Sequence, residues 1–126
     1  MSSKFNSHYS FRFCKYLLVA GFLTLSTLPA LPVEIPDPAL EGAIRDTLGR
    51  PTGDLTETDM ANLTSLQAGG LNITNLSGLE AAVNLTELHL WHNQINDLSA
   101  LSGLTNLTVL YLWVNEISDI SPLNGL

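Results

Sequence analysis

A 22-residue phrase recurs across Leu63–Leu126, and a chain with that period is bound to stack its copies into a solenoid. Leu85-Thr-Glu-Leu88-His-Leu90-Trp-His-Asn93-Gln-Ile95-Asn-Asp-Leu98-Ser-Ala-Leu101 returns as Leu107-Thr-Val-Leu110-Tyr-Leu112-Trp-Val-Asn115-Glu-Ile117-Ser-Asp-Ile120-Ser-Pro-Leu123. One period upstream, the aliphatic positions fall on Leu63, Leu66, Ala68, Ile73, Leu76, Leu79 and Ala82. A single copy has no second layer to bury these side chains, so its neighbours must supply one.

Each copy opens with alternating leucines, the signature of a strand with one buried face, which points Leu88, Leu90, Leu110 and Leu112 inward. Asn93 and Asn115 follow; their amides both donate and accept, and so can satisfy backbone groups that no sheet partner reaches. Ile95, Leu98, Leu101 and Leu104 recur every three residues, which suits a short 3₁₀ turn on the outer side. Ser121-Pro122 reads as the cap and first position of such a turn.

The pattern Leu-x-x-Leu-x-Leu-x-x-Asn-x-Ile resembles leucine-rich repeats, and Asn115-Glu-Ile-Ser-Asp-Ile-Ser-Pro-Leu123 resembles the 22-residue repeat of bacterial internalin-like proteins. That resemblance implies an α/β solenoid, right-handed, with a parallel concave sheet, 3₁₀ turns on the convex side and a helical N-terminal cap. The chain divides accordingly into a signal peptide (1–30), the cap (31–62) and three repeats (63–84, 85–106 and 107–126). The first copy departs from the pattern, with Gly69-Gly70-Leu71 where a residue pair and the ladder asparagine should stand.

Lys4, Arg12 and Lys15 precede an uncharged apolar run from Tyr16 to Leu28 that ends at Pro29-Ala30, the composition of a secretory leader. The run is short for a membrane span, so no stable span is expected after cleavage. The alternative is a start codon set too far upstream of an intracellular repeat protein. Cys14 precedes the run, where a lipid-modified cysteine cannot sit, and it is the sole cysteine, so disulfides are not expected. From residue 31 onward twelve acidic side chains face only Arg45 and Arg50, a net −10, which repels phosphate backbones and argues against nucleic-acid binding.

Between Val33 and Asn62 helix signals replace the repeat. Asp37 suits an N-cap and Pro38 the first position, while Leu40, Ala43, Ile44 and Leu48 share a face before Gly49. Thr56 with Asp59 three residues later resembles a capping box.

If the leucines point in, Glu87, His89, Trp91, Val109, Tyr111 and Trp113 point out on the sheet face. Two tryptophans one period apart are poorly explained as core, and indole is a frequent interface anchor. The predicted function is a non-catalytic, exported module at the cell surface or secreted, binding a protein partner through this face. A sugar ring stacked on indole is the other ligand that the patch suits. The rival readings are a structural fragment of a longer surface solenoid and an intracellular scaffold like the phosphatase-regulating repeat subunits. The strand edge from Val109 to Trp113 offers a route to self-association. No cofactor, metal or catalytic residue is predicted: His89 and His92 diverge across a strand end, and no nucleophile or phosphate-loop motif is present. Five Asn-x-Ser/Thr sequons, at Asn62, Asn72, Asn75, Asn84 and Asn106, follow mostly from the repeat itself.

Overall fold

The computed structural model describes residues 28–126; the basic and apolar leader sequence lies outside the described residues. Helix α1 spans Pro38–Leu48 and α2 spans Glu57–Ala61. Three strands follow, β1 (Ser65–Gln67), β2 (Glu87–His89) and β3 (Val109–Tyr111), with 3₁₀ turns at Leu79–Ala81, Ser99–Leu101 and Ser121–Leu123.

The helices begin where local chemistry satisfies their free N–H groups. Asp37 Oδ1 accepts from the N–H groups of Ala39 and Leu40, and Gly49, at φ 63°, closes α1 in the left-handed conformation. Thr56 and Asp59 exchange the reciprocal bonds of a capping box at α2. Arg45 joins Glu41 and also donates to the carbonyls of Arg50 and Gly53, while Arg50 pairs with Asp59. Both arginines of the described residues are therefore used to hold this helical unit together. Leu40, Ile44 and Met60 are fully buried, in one core with Leu63, Leu66 and Ala68 of the first copy.

The strands pair in parallel in the order β1-β2-β3, with a register of one period: Leu66 opposite Leu88, and Leu88 opposite Leu110. Short strands suffice because side-chain ladders extend the pairing. Asn93 Oδ1 accepts from the N–H groups of Leu71 and Ile73, and its Nδ2 donates to the carbonyls of Ala68 and Leu90. Asn115 repeats the arrangement one copy later, accepting from Ile95 and donating to Leu90 and Leu112. The hydroxyls of Thr86 and Thr108 donate to the carbonyls of Thr64 and Thr86. Asn84 and Asn106 donate to those of Ala61 and Val83. Two of the sequons therefore use their asparagine, and their threonine, as structural rungs.

The outer turns differ in one respect from the sequence reading. Ser121 is the first residue of its 3₁₀ turn and makes no capping bond; Asp119 accepts from the Ser121 N–H and hydroxyl instead. Asp97 does the same for Ser99, and Asn75 for Ser77, so this Asx turn is itself a 22-residue feature. The serine bonds hold both aspartates below the ordinary carboxylate pKa. In the first copy, Gly78, at φ 94°, lets the Glu34 carbonyl pass close over the turn, where a Cβ would lie 2.8 Å from Ile35 Cγ1.

The residue before each ladder asparagine, or before Leu71 in the first copy, is left-handed: Gly70 (φ 73°), His92 (φ 52°) and Val114 (φ 57°). A β-branched side chain is the least suited to this region. Because left-handed backbone costs an L-residue roughly 1–2 kcal/mol and asparagine tolerates it, Val114→Asn is expected to stabilise the fold by about 1 kcal/mol. The check is a rise in the urea midpoint with an unchanged slope.

Candidate functional site

The parallel register converts residues one period apart into columns across the sheet. Ser65, Glu87 and Val109 form one column, and Gln67, His89 and Tyr111 the next. Beyond the last strand residues the backbone continues to pair, with the Gly70 N–H donating to the Trp91 carbonyl at 2.9 Å and that of His92 to Trp113 at 3.0 Å. Gly69, Trp91 and Trp113 thus make a third column.

In that third column the indoles of Trp91 and Trp113 lie parallel, 7° apart, with centroids 5.3 Å from each other. A Cβ on Gly69 would fall within 2.7 Å of Cε2, Cδ2 and Cζ2 of Trp91. Cε2 and Cδ2 are the ring-fusion atoms and have no free edge, so the indole meets Gly69 face-on. Trp91 therefore has glycine backbone on one face and Trp113 on the other, and is half-buried, whereas Trp113 is 53% exposed. The sequence reading points both tryptophans outward alike; in the structure they differ because Trp91 is contacted on both faces, by Gly69 and by Trp113, whereas Trp113 is stacked on one.

His92 stands edge-on to both indoles, 5.7 Å from Trp91 and 4.8 Å from Trp113. With all three centroids nearly equidistant, the imidazole must lie beside the stack rather than over its outer face. Sequence reasoning had treated His92 only as a poor metal ligand. Its left-handed backbone, shared with Gly70 and Val114, is what swings it against the tryptophans. In the neighbouring column His89 packs edge-on against Tyr111 at 4.6 Å, and its Nε2 lies 2.6 Å from Glu87 Oε1. The six predicted face residues are therefore not equivalent: Glu87, His89, Trp91 and Val109 are half-buried, while Tyr111 and Trp113 are exposed.

Among the described residues, no group of three or more His, Cys, Asp or Glu side chains could hold a metal, and no helix is long and apolar enough to cross a membrane. Neither indole N–H has a hydrogen-bond partner within the described protein, leaving both free for a ligand. Chemically the surface offers flat, polarisable contact, ring-edge N–H donors and one carboxylate already joined to a histidine.

The leucine-rich repeat family model, two copies long, matches residues 83–125. No curated protein matches the sequence. Among solved structures, an internalin (inlF) of Listeria monocytogenes is 39% identical with a TM-score of 0.73, over 82% of this chain and 31% of its own. Internalin C2 (inlC2) of the same species is 32% identical, also at 0.73, over 82% of this chain and 47% of its own. The chain thus spans less than half the length of either. A Clostridium perfringens ZmpB structure, described as CBM51-2 in complex with GlcNAc and INT domains, is 35% identical with a TM-score of 0.59, over 80% of this chain and 21% of its own. With the repeat register, the asparagine ladder and the internalin neighbours in agreement, the chain is a bacterial internalin-like leucine-rich repeat protein.

Proposed function

We propose that this chain is an exported, non-catalytic recognition module that binds a protein partner through its aromatic sheet face. The observation that carries the reading is the ordered column of Trp91 and Trp113 beside the His89 and Tyr111 pair. Large aromatic side chains held in one rotamer contribute contact area without the ordering cost of flexible ones. The stack leaves Trp91 no open face, so only the outer face of Trp113 remains for a sugar ring, one platform where two separate indoles would offer more. Export rests on the basic and apolar leader, and cell-surface or secreted placement follows from it. The helical unit at residues 31–62 serves in this reading as the cap of the solenoid, covering the β1 end.

A photo-reactive phenylalanine analogue placed at Tyr111, compared with one at Ser121 on the outer turn, tests the reading on intact producing cells. A protein adduct is expected from the Tyr111 position and none from Ser121. Trp113→Ala should reduce the adduct by at least about tenfold, the loss expected for an interface hot spot, with an unchanged far-UV spectrum. Equal labelling at both positions would remove the face from consideration, and glycan retention without any protein adduct would favour the carbohydrate reading.

A further inference from the structure

The irregular first copy carries Gly69 where the later copies carry tryptophan, and three observations give that glycine a task. A Cβ at Gly69 would collide with the face of Trp91, while the remaining Trp91 face is covered by Trp113 in near-parallel contact. Gly69 is not among the residues with positive φ, so its own backbone does not demand glycine. Main-chain pairing from Gly70 to Trp91 and from His92 to Trp113 fixes the column spacing, and the Trp113 ring lies in the direction in which Trp91 would retreat.

We infer that Gly69 is the positioning residue of the recognition face: it is the seat on which Trp91 lies flat, and through Trp91 it sets the plane of the exposed Trp113. This inference rests on the proposed recognition role, but its geometric half stands alone. A side chain at position 69 would tilt Trp91, and the tilt would pass to Trp113, because indoles stacked in contact keep their planes parallel. The free indole N–H groups and the exposed ring would then meet a partner in another orientation.

The test is Gly69→Ala in the full chain, read by the exciton couplet that two closely stacked indoles produce in circular dichroism. The couplet is expected to collapse to the level of Trp91→Ala, which lacks one chromophore, while the backbone signal persists. Gly42→Ala, at a helix glycine with open space around it, should leave the couplet intact. If Gly69→Ala lowers the unfolding midpoint, the same change in a Trp91→Val background separates the causes. A penalty that vanishes without the indole supports the seat, and one that persists shows that the backbone itself needs glycine and overturns it. A full couplet in folded Gly69→Ala also overturns the inference. Adduct yield from the photo-reactive residue at Tyr111 should fall severalfold in Gly69→Ala; a lost couplet with an unchanged yield refutes the positioning role. Absence of any adduct in the wild-type sequence counts against the recognition reading, and the couplet then still decides the geometry.

Discussion

Replacing Asn93 with alanine is expected to destabilise the fold by about 3–5 kcal/mol, since several buried backbone groups would lose their partner and each unmet group costs ~1–3 kcal/mol. The residue is 7% exposed and bridges the N–H groups of Leu71 and Ile73 to the carbonyls of Ala68 and Leu90. The removed carboxamide leaves room for about one water, which would have to meet two donors and two acceptors fixed around two separate atoms. Asn93→Asp should be no better despite its matching shape, because a carboxylate oxygen would face two carbonyls where the amide now donates. Asn115→Ala should cost less, its surroundings in the third copy being only half-buried. Urea unfolding of the three variants gives the order directly, and a midpoint for Asn93→Ala within error of wild type would show that the ladder is dispensable.

Asp37→Ala is expected to cost about 3–4 kcal/mol, more than the ~1 kcal/mol typical of a lost N-cap. The excess comes from its second oxygen. While Oδ1 caps α1, Oδ2 accepts from the N–H groups of Thr74 and Asn75 and from the Thr74 hydroxyl, so one carboxylate joins the helical unit to the first repeat. Burial alone would raise its pKa, but the backbone donors of Thr74, Leu40, Asn75 and Ala39 outweigh burial and hold it below the ordinary value of 3.8. With the folded pKa depressed, this stabilisation is fully present above the unfolded value and is lost as pH falls through the folded one. Wild-type protein should therefore lose stability steeply below about pH 4, and Asp37→Ala should show a flatter acid limb. Asp37→Asn keeps a neutral acceptor and should fall between the two. An equally steep acid limb in Asp37→Ala would assign the acid sensitivity elsewhere.

Legibility in the sequence followed the range of each interaction. The caps at Asp37 and Thr56, the αL stop at Gly49 and the asparagine ladder could be read because their partners lie within one helical turn or one period. The strand alternation likewise separated Leu88 and Leu110 from Glu87, His89 and Tyr111. The Oδ2 contacts of Asp37 could not be read, since Thr74 is 37 residues away and outside any period. Gly69 looked like decay of the repeat, because a consensus records what a position contains and not what lies above it. His92 was hidden for a related reason: its orientation comes from a left-handed backbone, visible only when Gly70, His92 and Val114 are aligned and their conformation is known.

The columns also bear on how such a chain can change length. Backbone pairs, asparagine and threonine rungs and indoles find partners about one period away, and the Asx turns, though local, recur at the same spacing. An insertion of a single residue between the strand and the ladder asparagine of a copy would set the indole and asparagine columns out of register with the neighbouring copy. Insertion of a whole copy would shift none, because each rung would meet the same chemistry it met before. Length variation that keeps these columns in register therefore comes in units of 22 residues, and duplication of a complete copy is the small step in sequence space that preserves the rungs.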